Sequence, residues 1–247
     1  APLGKNVNEF ENEIKDKLGT KAAVALSCGT AAIHMAIKSL GVKKDDIIFC
    51  QSLTFSASAN PITYEKAIPV FIDSDESWNM SPVALRKAFE KYKDNLPKAV
   101  IVVHLYGLAS NIKEIKEICN EYNVSLIEDA AESLATTIDG KYTGTFGDYG
   151  IISFNGNKII TSSGGGMFLA NTDDADERAK KVLFWATQAR EQARHYEHKE
   201  IGYNYRMSNI VAGIGRGQLK VLDQRVIKKR YIYEYYQKEL GNLEGLT

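Results

Sequence analysis

The sequence predicts an α/β fold, a mostly parallel sheet with helices packed on both faces. Three observations carry this reading. Strand-like and helix-like segments alternate from residue 22 to residue 129. The strand segments are continuous apolar runs, such as Ile47-Ile48-Phe49-Cys50 and residues 99–103, and so are buried on both faces. The residues with chemistry to offer recur just after strand ends, where open α/β sheets place their ligands.

Val7, Phe10, Ile14 and Leu18 fall at helical spacing, so residues 7–18 form an amphipathic helix. Residues 22–27 read as a buried strand that runs into Cys28-Gly29-Thr30-Ala31-Ala32 and then a helix over 33–40. A strand at 47–50 precedes a helix at 55–64, and a strand at 69–72 precedes a helix opened by Ser81-Pro82, an N-cap and a first-turn proline. Residues 99–103 form the next strand. Ile112, Ile115, Ile118, Cys119 and Tyr122 mark one helix face, and residues 124–127 form a short strand ending at Glu128-Asp129. Two further strands, 149–154 and 167–170, flank Asn155-Gly156-Asn157-Lys158 and the glycines 164–166. Helices follow at 175–185, 207–222 and 226–240, with an aperiodic polar stretch at 188–205. Residues 1–222 are expected to form one large domain, and 223–247 the start of a second, smaller one cut short. Ala1-Pro2-Leu3-Gly4 lacks an initiator methionine and Gly245-Leu246-Thr247 stops just past a helical pattern, so both ends are expected to be cut.

Composition narrows the function classes. Of 247 residues, 31 are Lys or Arg and 31 Asp or Glu, so no net field draws the chain to nucleic acid or an anionic membrane. No apolar run is long enough to span a bilayer and no signal segment opens the chain. The three cysteines, Cys28, Cys50 and Cys119, are odd in number and far apart, which predicts free thiols and a cytoplasmic setting. His195 and His198 lack a second ligand cluster, so no metal is expected. Gly213-Ile214-Gly215-Arg216-Gly217 imitates a dinucleotide loop but follows no strand, and predicts close helix packing instead.

Lys158 hangs in a loop just past a strand end, where an amine can be pre-positioned and partly dried for Schiff-base chemistry with a carbonyl cofactor. Gly29, Thr30 and Ala31 sit at a strand–helix junction, a natural anion cup of backbone N–H groups. Asp129-Ala130-Ala131-Glu132 has two readings: a capping box with Asp129 as N-cap, or a buried carboxylate facing a pyridinium nitrogen. Arg190, Arg194, His195, His198 and Arg206 crowd one segment, which suits a diphosphate or, equally, a solvated charged loop.

These motifs resemble a known family. Ser27-Cys28-Gly29-Thr30-Ala31-Ala32, Thr54-Phe55, His104-Leu105-Tyr106-Gly107, Glu128-Asp129-Ala130-Ala131, Ser153-Phe154-Asn155-Gly156-Asn157-Lys158 and Gly202-Tyr203-Asn204-Tyr205-Arg206-Met207 follow the order seen in the DegT/StrS nucleotide-sugar aminotransferases. The resemblance implies the aspartate aminotransferase fold and a pyridoxal 5'-phosphate cofactor. It makes Lys158 the Schiff-base lysine and proton carrier, sets Asp129 on the pyridinium nitrogen and stacks Phe55 on the ring. Gly29, Thr30, Ala31 and Ser153 would hold the phosphate, and Asn204 would reach the phosphate of the neighbouring subunit in a homodimer. Glu132 would stand near the cofactor's phenolic oxygen, where many members carry Gln or His, and is expected to be protonated or turned away to cap its helix. Residues 186–191 and 195–198 resemble the branch that aminates C4 of a UDP-linked 4-keto-6-deoxy-N-acetylglucosamine, with glutamate as donor. Arg190, His198 and Arg206 would then serve the nucleotide sugar. The alternatives are another keto-sugar, dTDP-linked or ketonic at C3, or a non-catalytic scaffold relative of the fold.

Overall fold

The computed structural model describes residues 4–245; residues 1–3 and 246–247, which hold most of the termini expected to be cut, lie outside it. The strands are β1 (Ala22–Leu26), β2 (Ile47–Gln51), β3 (Ile68–Ile72), β4 (Ala99–Val103), β5 (Ser125–Asp129), β6 (Thr137–Ile138), β7 (Lys141–Tyr142), β8 (Tyr149–Ser153) and β9 (Gly166–Ala170). Seven form one sheet in the order β1-β9-β8-β5-β4-β2-β3, while β6 and β7 pair as a separate small hairpin that the sequence did not announce. From β8 through β5, β4 and β2 to β3 every pairing is parallel, and β9 alone runs against both of its neighbours. The mostly parallel α/β sheet is therefore as expected.

Helices cover both faces. On one, α2 (Gly29–Ser39), α3 (Asn60–Tyr64) and α6 (Ala175–Ala186) bury Ile33, Ile37 and Val182 against Val24, Ile48, Ile101 and Phe168. On the other, α1 (Lys5–Leu18) packs Phe10 and Ile14 on Ala25, Ile152 and Leu169, while α4 (Pro82–Lys91) and α5 (Ile112–Glu121) cover Phe49, Val100 and Leu126. Alternate strand residues face opposite layers, and both layers are apolar, which is why the strands read as unbroken runs. Ser81 caps α4 through its hydroxyl, which accepts from Ala84 N–H at 3.2 Å, with Pro82 in the first turn.

The helix expected over residues 55–64 is broken. A short 3-10 turn at Ser56–Ser58 precedes α3, which starts with Asn60-Pro61. Proline has no N–H to donate to the turn before it, so the helix begins anew there. The last two helices are α7 (Asn209–Leu219) and α8 (Leu222–Leu240). Ser208 caps α7, accepting from Val211 N–H at 3.3 Å. The glycine-rich run in α7 serves packing: a Cβ on Gly215 would lie 2.7 Å from the Phe10 ring of α1. Leu222 is the last fully buried side chain among the described residues, and nearly all of α8 beyond it is exposed.

Candidate active site

The carboxyl ends of β1, β2, β4, β5 and β8 open onto one cavity of about 920 Å³, within the usual size of a small-molecule site. Gly29, Thr30, Phe55, Asp129, Glu132, Ser153 and Lys158 all line it. The convergence expected from strand ends is therefore present in space.

Each of these side chains has a local cause for its position. Cys28 caps α2, its Sγ accepting from Ala31 N–H at 3.4 Å, so the helix points its first turn into the cavity. Ala31 itself is buried and lies outside the lining, its N–H already committed to the cap. Gly29 permits a close approach, since a Cβ there would stand 3.3 Å from Ser153 Cβ. Lys158 lies on the connection between β8 and β9, and its N–H donates to Asn155 O in a tight turn at 3.1 Å. Its side chain is mostly buried, and Nζ stands 3.3 Å from Glu132 Oε1.

Asp129 ends β5 at the cavity floor, 6% exposed. Its Oδ2 accepts from Ser58 Oγ at 2.6 Å and its Oδ1 from Ala131 N–H at 3.2 Å. Burial pushes this carboxyl above the usual carboxylate range, against the pull of those two hydrogen bonds and of the Lys158 charge. A dried carboxylate of this kind gains from a cationic partner. The capping-box reading fails, because no helix follows Asp129. Ala130 N–H donates to Ile151 O of β8 at 3.0 Å, so the chain keeps its sheet partner past the strand end and enters a series of turns.

Glu132 also departs from expectation. It caps no helix; its Oε2 accepts from Tyr106 N–H at 2.8 Å, while Oε1 faces the Lys158 ammonium. Beneath the floor, His104 and Glu128 are wholly buried. Ser110 N–H donates to His104 Nδ1 at 3.1 Å, so Nε2 carries the proton donated to Glu128 Oε2 at 2.9 Å. Gly144 and Gly147 N–H groups satisfy the same carboxylate. His104 N–H in turn donates to Asp129 O, which couples this buried pair to the floor.

The basic segment is arranged differently from the cluster that the sequence suggests. The chain leaves α6 and returns beside it, with Gln188 N–H donating to Tyr203 O and Thr187 bridging Asn204. Within the loop so formed, the Arg190 guanidinium lies 4.0 Å from the Tyr196 ring centre and His198 Nδ1 stands 2.9 Å from Gln188 O. Arg206 is taken out of the group: Glu11 holds its guanidinium, and Asn8 and Ala25 O add further bonds. That places Arg206 as a clasp between α1 and β1. Arg190, His198, Arg206 and Asn204 all lie outside the lining of this chain's cavity, and Asn204 is exposed.

Sequence reasoning missed Ser58, whose bond to Asp129 depends on a turn meeting a strand end 71 residues away. It also gave no role to Trp78, which lines the cavity from the turn after β3.

The residues present fit pyridoxal phosphate: a dried amine, a buried carboxylate seeking a cation, and a helix start that glycine keeps open. The profile of the DegT/DnrJ/EryC1/StrS aminotransferase family, whose members depend on that cofactor, matches residues 1–247. EpsN of Bacillus subtilis (strain 168), provisionally named a pyridoxal phosphate-dependent aminotransferase, is 57% identical over 249 residues, covering 100% of this chain and 63% of its own. A GDP-perosamine synthase of Escherichia coli O157:H7 is 39% identical over 241 residues, 97% of this chain and 64% of its own. A UDP-4-amino-4,6-dideoxy-N-acetyl-beta-L-altrosamine transaminase of Campylobacter jejuni (serotype O:23/36, strain 81-176) is 33% identical over 238 residues, 96% of this chain and 62% of its own. Among solved structures, the aminotransferase TlmJ from Streptoalloteichus hindustanus superposes with a TM-score of 0.92 at 31% identity, covering 100% of this chain and 66% of that one. The chain thus spans under two thirds of the length of the curated relatives it matches. By this match along its whole length, the chain belongs to the DegT/DnrJ/EryC1/StrS aminotransferase family.

Proposed function

We propose that the protein of which this chain is part moves an amino group from glutamate to C4 of a UDP-linked 4-keto-6-deoxy-N-acetylhexosamine. The observation that carries amine transfer is the meeting of Lys158 and Asp129 in one cavity, with Gly29 and Thr30 at its edge. When bound there, pyridoxal phosphate supplies an electron sink for breaking bonds at the carbon next to the transferred nitrogen. Lys158 would hold the cofactor through its amine and carry a proton at its Nζ. Asp129 sits where a ring nitrogen would gain a negative partner, and Ser58 and Ala131 N–H fix the direction of its oxygens. Gly29, Thr30 and Ser153 offer the phosphate its cradle, and Phe55 presents an exposed ring to the same cavity.

Support for the sugar is of a different kind. It rests on the resemblance of residues 186–191 and 195–198 and on a UDP-sugar transaminase among the relatives. A second reading, a GDP-linked keto-sugar, draws on the relative named for GDP-perosamine. We further propose a homodimer in the cytoplasm in which Asn204, exposed and outside its own cavity, serves the neighbouring site. Residues 223–247 would begin the second domain.

Borohydride reduction of the full-length protein followed by peptide mapping should leave the cofactor on Lys158; label on another lysine would overturn its role. Assay against UDP-, GDP- and dTDP-linked 4-keto sugars should show amination of the UDP substrate first. Preference for the GDP sugar would replace this acceptor by the second reading. Mixing inactive Lys158→Ala and Asn204→Ala subunits should restore activity if Asn204 acts across the dimer.

A further inference from the structure

Among the described residues, two aromatics hold a left-handed backbone, Trp78 at φ 67° and Tyr106 at φ 54°. Both line the cavity, and both rings are largely exposed, at 61% and 80%. Bulky side chains rarely adopt this conformation, and strain of that kind persists where the surroundings enforce it, most often at functional sites. The core does not need these rings, because they pack on no other aromatic among the described residues and remain in water.

The surroundings do enforce the strain. Trp78 N–H donates to Asp75 O at 3.0 Å, and Asp75 N–H donates to Asn79 O at the same distance, closing a tight turn. Ser77 adds its hydroxyl and N–H to Asp75 Oδ1. Asn79, wholly buried, then ties this turn to the next: its Oδ1 accepts from Leu105 N–H at 2.9 Å and its Nδ2 donates to Leu108 O at 3.1 Å. Glu132 fixes Tyr106 N–H from the other side. Two turns from different strands are thus locked into one rigid rim that presents two flat apolar faces to the cavity.

We infer that Trp78 and Tyr106 form the subsite for the hexose ring of the acceptor. The inference rests on the nucleotide-sugar reading above. The hexose is the part addressed, because the Tyr106 backbone N–H and the Lys158 amine bind the two oxygens of one carboxylate, Glu132. The ring that carries the reacting carbon must lie there, whereas the base stands a diphosphate further out. Apolar ring faces suit the C–H face of a deoxy-sugar, and their negative π-clouds offer no partner to the two carboxylates of glutamate.

Tryptophan emission of the full-length protein reads this directly. Trp185 is 8% exposed with its indole N–H bound to Glu200, and the part of a ligand response that a Trp78→Phe control abolishes belongs to Trp78. UDP-N-acetylglucosamine, which has no keto group to react, should quench the emission, and UDP alone should leave it nearly unchanged. Tyr106→Gly removes the ring while relieving the backbone, so its melting temperature should hold or rise while the dissociation constant for UDP-N-acetylglucosamine increases roughly tenfold. In the same variant, the half-reaction with glutamate should be unaltered. Equal quenching by UDP alone would put the base against Trp78 and overturn the hexose assignment. Binding of UDP-N-acetylglucosamine seen by calorimetry without a change in Trp78 emission would overturn the subsite and leave the proposed function intact. Failure of every UDP-, GDP- and dTDP-sugar to bind would remove the acceptor class itself, and this subsite with it.

Discussion

Lys158 Nζ lies 3.3 Å from Glu132 Oε1, and the second oxygen of that carboxylate accepts the Tyr106 N–H at 2.8 Å. One side chain therefore joins the Lys158 amine to the strained turn at the cavity mouth. Glu132→Gln keeps an acceptor for Tyr106 and loses the ion pair, whereas Glu132→Ala loses both. Amide exchange over residues 104–108 should quicken about tenfold in the alanine variant and less than about threefold in the glutamine variant. Identical exchange in all three proteins would show that the carboxylate does not hold the turn.

Asp129 should trade stability for chemistry. Its folded value is raised by burial, so the unfolded chain releases the proton first as pH climbs. Stability then falls between the ordinary carboxylate value and the raised one, and the loss persists at neutral pH. Asp129→Asn should accordingly raise the melting temperature of the cofactor-free protein, by about 2–4 °C for each kcal/mol recovered. The gain should shrink as the pH is lowered toward 4. Amine transfer in the same variant should drop by about 100-fold or more. A variant that melts lower at neutral pH would contradict the burial argument.

His104→Ala should be among the most damaging single changes near the site. It leaves the Glu128 carboxylate in a wholly buried position with only backbone donors. Losing a buried hydrogen bond to a charged group costs about 1.5–3 kcal/mol, which urea titration would register as a shift in midpoint. A loss under about 1 kcal/mol would mean that Gly144 and Gly147 satisfy the carboxylate without the imidazole.

The three thiols should separate cleanly. Burial pushes the Cys50 and Cys119 thiols up to about 12 and seals them in the core. Cys28 is exposed at the cavity edge. A disulfide reagent should titrate Cys28 alone until the protein unfolds, and prior loading with pyridoxal phosphate should slow that reaction. Cys28→Ser should retain the α2 cap and its stability, while Cys28→Ala should lose about 1 kcal/mol. Rapid reaction of all three thiols would contradict the packing of β2 and α5.

The main strands were legible in the sequence because burial on both faces leaves an unbroken apolar run, and the shared cavity was legible because Gly29, Asp129 and Lys158 follow strand ends. What the sequence hid depends on partners far along the chain. Asp129 looked like a helix cap until Ala130 was seen to keep a sheet partner in Ile151, and no local pattern announces that bond. Arg206 looked like one of a basic group, yet its partner Glu11 lies 195 residues away. The reversed direction of β9 was equally silent, since an apolar run carries no sign of its polarity.

The connection bearing Lys158 is stitched at both ends to strands inside the sheet, with Ser153 opposite Gly166 and Ile152 opposite Met167. Those strands are flanked by β5 and β1, so their hydrogen bonds open only when the whole sheet does. The amine is then either fully in place or absent with the fold. A preparation weakened by core damage, such as Phe168→Ala, should contain fewer competent molecules, each turning over at the undamaged rate. Activity divided by bound cofactor would stay constant while activity divided by total protein declines.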